Sequence, residues 1–116
     1  MQVPLKIDFH GLEPSGFIEQ RIRERAAKLP RFYERIVSCR VTVEAPHHHH
    51  RQGNLYAVRI ALGVPGGTLI VNRDGGQDRA HADVYVAIRD AFDAAERRLE
   101  ERSPYGGRRQ RGSLTA

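Results

Sequence analysis

The hydrophobic period of this chain limits its possible folds more than any other feature. Residues 3–9, VPLKIDF, set Val3, Leu5, Ile7 and Phe9 against Pro4, Lys6 and Asp8. That period of two predicts a half-buried strand, with Pro4 leaving its start lightly paired. The next stretch, LEPSGFIEQRIRERAAKLPRF, has a different period: Ile18, Ile22, Ala26 and Leu29 recur at helical spacing, Pro14 suits a first turn and Pro30 stops the helix. Arg21, Arg25 and Lys28 follow one another at i, i+4 and i+7, so the same helix carries a basic stripe beside its apolar one.

Period two returns in IVSCRVTVEA, where Val37, Cys39, Val41, Val43 and Ala45 face one way, and again in LYAVRIAL, where Tyr56, Val58, Ile60 and Leu62 do. The intervening PHHHHRQGN closes with Gly53 and Asn54 and reads as a hairpin loop. VPGG at 64–67 has the proline–glycine order of a type II turn and leads into a short fourth strand, TLIVNR. After the flexible link DGGQD, the residues Val84, Ile88, Ala91, Phe92, Ala95 and Leu99 mark a long amphipathic helix. Beyond Ser103 and Pro104 the stretch YGGRRQRGSLTA has no apolar period, so residues 1–102 are expected to form the domain and 103–116 a disordered basic tail.

The order is therefore β-α-β-β-β-α. A right-handed crossover makes the first two strands parallel, and the hairpins extend the sheet antiparallel. Each helix has one apolar stripe and each strand one apolar side, so both helices cover the same face. The expected fold is an α+β two-layer sandwich of the double-stranded-RNA-binding-domain type, with a four-stranded mixed sheet.

Charge narrows the partners. Nineteen basic residues against 14 acidic ones give a formal net charge of +5. Only Lys6 and Lys28 are lysines; the other basic residues are arginines, whose planar fork suits phosphates and bases. A genome biased toward arginine codons would give the same count, so composition favours a polyanionic partner without naming it. No segment pairs a basic face with a bulky apolar one, and no apolar run approaches the roughly 20 residues of a membrane span, which points to a cytoplasmic chain without a membrane partner. Cys39, the only cysteine, lies within an apolar alternation and reads as a core residue.

Catalysis has little support. The carboxylates Asp83 and Asp90, or Asp93, Glu96 and Glu100, stand among arginines as surface ion pairs do, and GVPGG opens onto a strand where anion-cradling loops open onto helices. No cofactor and no small-molecule substrate are expected. Tyr85 sits beside the apolar stripe, where packing is favoured over stacking on a base; Phe92 is core; Arg40 and Arg59 belong to the polar side of their strands. His10 and His81 stand at element ends without an evident partner. The run His47, His48, His49 and His50 offers two imidazoles per side of an extended loop, short of a closed zinc shell, so it is at most a weak metal candidate. It could gain charge on mild acidification beside RNA, but its simplest role is to join two strands.

Three segments carry a more specific signal: RAAKLPRF at 25–32, VPGGTLIV at 64–71 and, above all, DVYVAIRDAFDAAERRLE at 83–100. With this element order, the chain resembles the ribosome hibernation-promoting factors and ribosome-associated translation inhibitors, the sigma-54 modulation family, from Leu5 to Arg102. The resemblance implies a non-catalytic domain lodged on the small ribosomal subunit. Basic residues of both helices would contact ribosomal RNA there and block the path of messenger and transfer RNA during dormancy. Arg25 and Lys28 fall on basic family positions of the first helix and Arg97 on one of the last. Ala94 and Glu101 stand where members carry lysines. Arg21, Arg89, Arg98 and Arg102, with Arg108, Arg109 and Arg111 of the tail, complete the expected RNA-binding set. The likeness is to the short type, which has no ribosome-dimerisation domain.

Overall fold

A computed structural model describes residues 3–45, 56–73 and 83–102 of the chain. Its elements are β1 (Leu5–His10), α1 (Gly16–Ala26), a 3-10 turn (Leu29–Arg31), β2 (Ser38–Glu44), β3 (Ala57–Val64), β4 (Gly67–Arg73) and α2 (Val84–Arg102). The expected order β-α-β-β-β-α is the observed one. The strands lie in the order β1-β2-β3-β4, with β1 parallel to β2 and the other two pairings antiparallel.

The register explains the two layers. Cys39, Val41 and Val43 pair with Leu62, Ile60 and Val58, and all six are buried together with Val71 of β4. Ile18, Ile22 and Ala26 of α1 pack with Ala87, Ile88, Ala91, Phe92, Ala95 and Leu99 of α2 on that side of the sheet. The opposite face carries Lys6, Arg40 and Arg59, all exposed, and an Arg40–Asp8 contact of 3.6 Å.

Capping sets where the helices start. Ser15 has extended backbone, and its Oγ accepts a 3.4 Å hydrogen bond from the Ile18 N–H. Pro14 therefore precedes the cap and lies outside the first turn, where the sequence reading put it. Asp83 caps α2: its Oδ1 accepts from the Tyr85 N–H at 2.9 Å, and its carbonyl accepts from the Val86 and Ala87 N–H groups. The aspartate of the Asp-x-Tyr opening thus has a structural task, satisfying an N–H that the helix itself cannot. Pro30 falls in the 3-10 turn that ends the α1 segment.

One expected core position is corrected. Val37 precedes β2 and is 60% exposed, whereas Ile36 turns inward. Regular alternation starts only at Ser38, because Ile36 fills the inward position where the chain enters the sheet; the Val37 N–H donates to the Gly63 carbonyl at 2.7 Å. Two glycines are required by geometry. Gly66 has φ +89°, as the second central residue of a type II turn demands, and with Pro65 it joins β3 to β4. Gly11 has φ +81°, and a Cβ there would stand 2.5 Å from the Ala45 carbonyl oxygen.

Candidate nucleic-acid interface

The two helices lie side by side and run in the same direction. The Arg21 guanidinium stands 5.1 Å from the centre of the Tyr85 ring, and one turn later Arg25 stands 5.6 Å from that of Phe92. Contact positions climb together along both helices, so Lys28 and Arg31 share an end of the helix layer with Arg97, Arg98 and Arg102.

Arg25 sits in the seam between the helices. Its Nη2 donates to Asp93 Oδ1 at 2.8 Å and to Glu96 Oε2 at 3.0 Å. Burial alone would lower its pKa, but its hydrogen bonds to Asp93 and Glu96 and their charge outweigh that effect, and the guanidinium is held still more firmly charged. Two carboxylates thus surround one cation, leaving no surplus positive charge at this point. The spacing Arg21-Arg25-Lys28 is real as a stripe, but its central member faces α2.

The other expected binding residues divide by their partners. Arg21 lies 3.8 Å from Glu24, and Arg89 shares Asp90 Oδ1 at 3.0 Å. Arg98 donates to the Ile70 carbonyl at 3.3 Å on β4, and Arg102 to the Pro65 carbonyl at 2.9 Å in the β3–β4 turn. A carbonyl orients an arginine without neutralising it, so these two keep their charge and gain a fixed position. Lys28 and Arg97 are exposed and, among the described residues, make no ion pair. Arg108, Arg109 and Arg111 lie outside the described residues, as do His47, His48, His49 and His50.

Sequence reasoning missed Arg31 and Arg35. Both are exposed and make no ion pair among the described residues, and they continue the basic line of Lys28 past the end of α1. The spacing Lys28, Arg31, Arg35 is a signal in the sequence, but it runs across the helix stop at Pro30 and so lies outside the periodicity of α1. Ala94 is buried and Glu101 is exposed.

Charge is uneven between the helices. Gly16–Arg31 carries Arg21, Arg23, Arg25, Lys28 and Arg31 against Glu19 and Glu24, whereas Val84–Arg102 carries four arginines against five carboxylates. The basic surface therefore belongs mainly to α1 and its 3-10 turn, joined by the last turns of α2. Side chains of this kind hold phosphates. Among the described residues no group of three or more His, Cys, Asp or Glu side chains is placed to share a metal ion, and no helix is long and apolar enough to cross a membrane.

A two-layer α+β domain, with its helices on one side of a mixed sheet and a set of cations without ion pairs among the described residues at one end of the helix layer, is the class these features define. The model of the family described as Sigma 54 modulation protein / S30EA ribosomal protein matches residues 5–103, and the chain belongs to that family. It is 31% identical over 98 residues to a ribosome hibernation promotion factor of Deinococcus radiodurans, covering 82% of this chain and 47% of the relative, so it spans about half the length of that protein. A ribosomal subunit interface protein from Coxiella burnetii shares the fold with a TM-score of 0.66 at 13% identity, over 86% of this chain and 97% of that one. The N-terminal domain of Thermus thermophilus Protein Y shares it with a TM-score of 0.59 at 21% identity, over 85% and 96%.

Proposed function

We propose that this chain is a ribosome hibernation factor whose domain, residues 1–102, binds the small ribosomal subunit near the path of messenger and transfer RNA and silences translation while the ribosome is idle. It acts by occupying that path, without chemistry of its own. The observation that carries the reading is that Lys28 and Arg31 past α1 and Arg97, Arg98 and Arg102 in the last turns of α2 lie toward the same end of the helix layer of a member of this family, Arg97 and Arg98 on the β4 side of α2. Phosphate recognition on folded RNA needs rigid, outward cations, and helices supply that rigidity. In this reading Arg21 and Arg89, each near a carboxylate, stand outside that set of cations. Arg25 supports the surface by joining the helices, and Arg108, Arg109 and Arg111 add charge from the tail.

A cell-free translation reaction tests the proposal. Added chain should halt synthesis once it reaches stoichiometry with ribosomes, and a Lys28→Glu, Arg97→Glu double variant should need a large excess. Unimpaired synthesis at saturating wild-type chain would refute it.

A further inference from the structure

Phe17 is the most exposed large apolar side chain among the described residues, with 81% of its surface open. It occupies the first turn of α1, after the Ser15 cap, and contributes nothing to the core that Ile18 and Ile22 build on the other side of the helix. The only other exposed large apolar residue among those described is Val37. Val37 lies at the opposite end of the fold: α1 begins beyond the last residue of β1, whereas Val37 precedes the start of β2, where Leu5 pairs with Cys39. Phe17 is therefore an isolated ring, not part of an apolar patch.

Its surroundings indicate what would cover it. Gln20 and Arg21, one turn further along, are both exposed, and the turn spans about 5.4 Å. Arg21 does not swing freely: it is placed against the Tyr85 ring at 5.1 Å and near Glu24 at 3.8 Å. A protein partner would seek a contiguous apolar area with a polar rim. A flat ring alone, with an oriented cation one turn away, instead matches a nucleotide, whose base has a π-face and whose phosphate is anionic.

We infer that Phe17 is a stacking platform for an unpaired RNA base, with Arg21 holding an adjoining phosphate. This rests on the proposed binding to the small ribosomal subunit and adds to it a contact away from the end of the helix layer that carries Lys28 and Arg97. Neither the periodicity of α1 nor its basic stripe includes Phe17. Stacking is tolerant of base identity, so the contact selects for an unpaired nucleotide at that place more than for a sequence.

The test compares the full chain with Phe17→Ala, Phe17→Leu and Phe17→Tyr for binding to purified small ribosomal subunits at one fixed salt concentration. Because the ring is exposed, all three variants should melt as the wild type does. Loss of the platform should weaken Phe17→Ala and Phe17→Leu by about tenfold or more, with Phe17→Tyr near wild type. Ultraviolet cross-linking should attach ribosomal RNA to the peptide containing Phe17. Equal binding by wild type and Phe17→Ala would overturn the inference while leaving the proposed function standing. Rescue by Leu as good as by Tyr would replace the base with an apolar protein contact and also overturn it. A wild-type chain that does not bind small subunits would overturn both.

Discussion

Arg25 of α1 and Glu96 of α2 form a 3.0 Å ion pair with only about a fifth of each side chain exposed, 19% and 20%, and Asp93 closes on the same guanidinium. This pairing joins two residues 71 positions apart on different helices, so it ties the layout of the basic surface to the stability of the helix layer.

The first prediction concerns that tie. Arg25→Ala should lower stability by about 1–3 kcal/mol, because it leaves two carboxylates facing each other in a partly buried seam. Glu96→Gln should cost less, since Asp93 still holds the guanidinium. Thermal unfolding of the single variants and of Arg25→Ala with Glu96→Ala should give a coupling of about 1 kcal/mol. Additive effects would show that the pair is not a unit. Charge reversal at Arg25 is for the same reason a poor probe of RNA contact, because it would place a third carboxylate in the seam.

Salt dependence separates binding cations from structural ones. Lys28→Ala or Arg97→Ala should each reduce the slope of log affinity against log salt by about one, as expected when one phosphate contact is removed. Arg40→Ala on the open sheet face should leave the slope unchanged. Measurement of small-subunit binding across a salt series checks both.

Cys39 provides a pH-dependent prediction. Burial pushes its thiol up to about 12, from an ordinary value of 9.0. The folded state therefore keeps a proton that the unfolded chain loses first, and stability should fall as pH rises through the interval from 9 to about 12, by about 1.4 kcal/mol per pH unit. Below the lower limit the group should be neutral in both states and contribute no slope. Urea unfolding across this range, compared with Cys39→Ala, isolates the contribution; identical pH profiles would refute it. Thiol reagents should react with the native chain at pH 8 only through unfolding.

Gly11→Ala should destabilise by about 1–3 kcal/mol, since it combines a left-handed backbone with a Cβ directed at the Ala45 carbonyl oxygen. Gly16→Ala, where a Cβ meets nothing within 4 Å, is the control and should be neutral or mildly stabilising. Equal melting temperatures for the two variants would contradict the assignment.

Much of the fold was legible because burial repeats along the chain. Period two in Cys39, Val41 and Val43, and again in Val58, Ile60 and Leu62, set both the strands and their core side, and the stripes Ile18-Ile22-Ala26 and Ile88-Ala91-Phe92-Ala95 set the helix faces. Element ends were less legible, as Val37 and Pro14 illustrate, because a boundary depends on individual hydrogen bonds such as those of Val37 and Ser15 and not on a repeat. The site was legible only as a set of cations. Which of them carry surplus charge depends on partners remote in sequence: Asp93 for Arg25, the Ile70 carbonyl for Arg98, the Pro65 carbonyl for Arg102. Spacing along one helix carries no information about the other, so Arg25 and Lys28 looked alike in sequence and differ in the fold.

The most direct test of the central claim is sedimentation of the chain with purified small ribosomal subunits through a sucrose gradient at moderate salt. The account predicts that the wild-type chain travels with the subunit, and that Lys28→Glu combined with Arg97→Glu, which leaves the Arg25 seam intact, remains at the top of the gradient while melting normally. A wild-type chain found only in the free fraction, or a double variant that travels with the subunit as the wild type does, would contradict it.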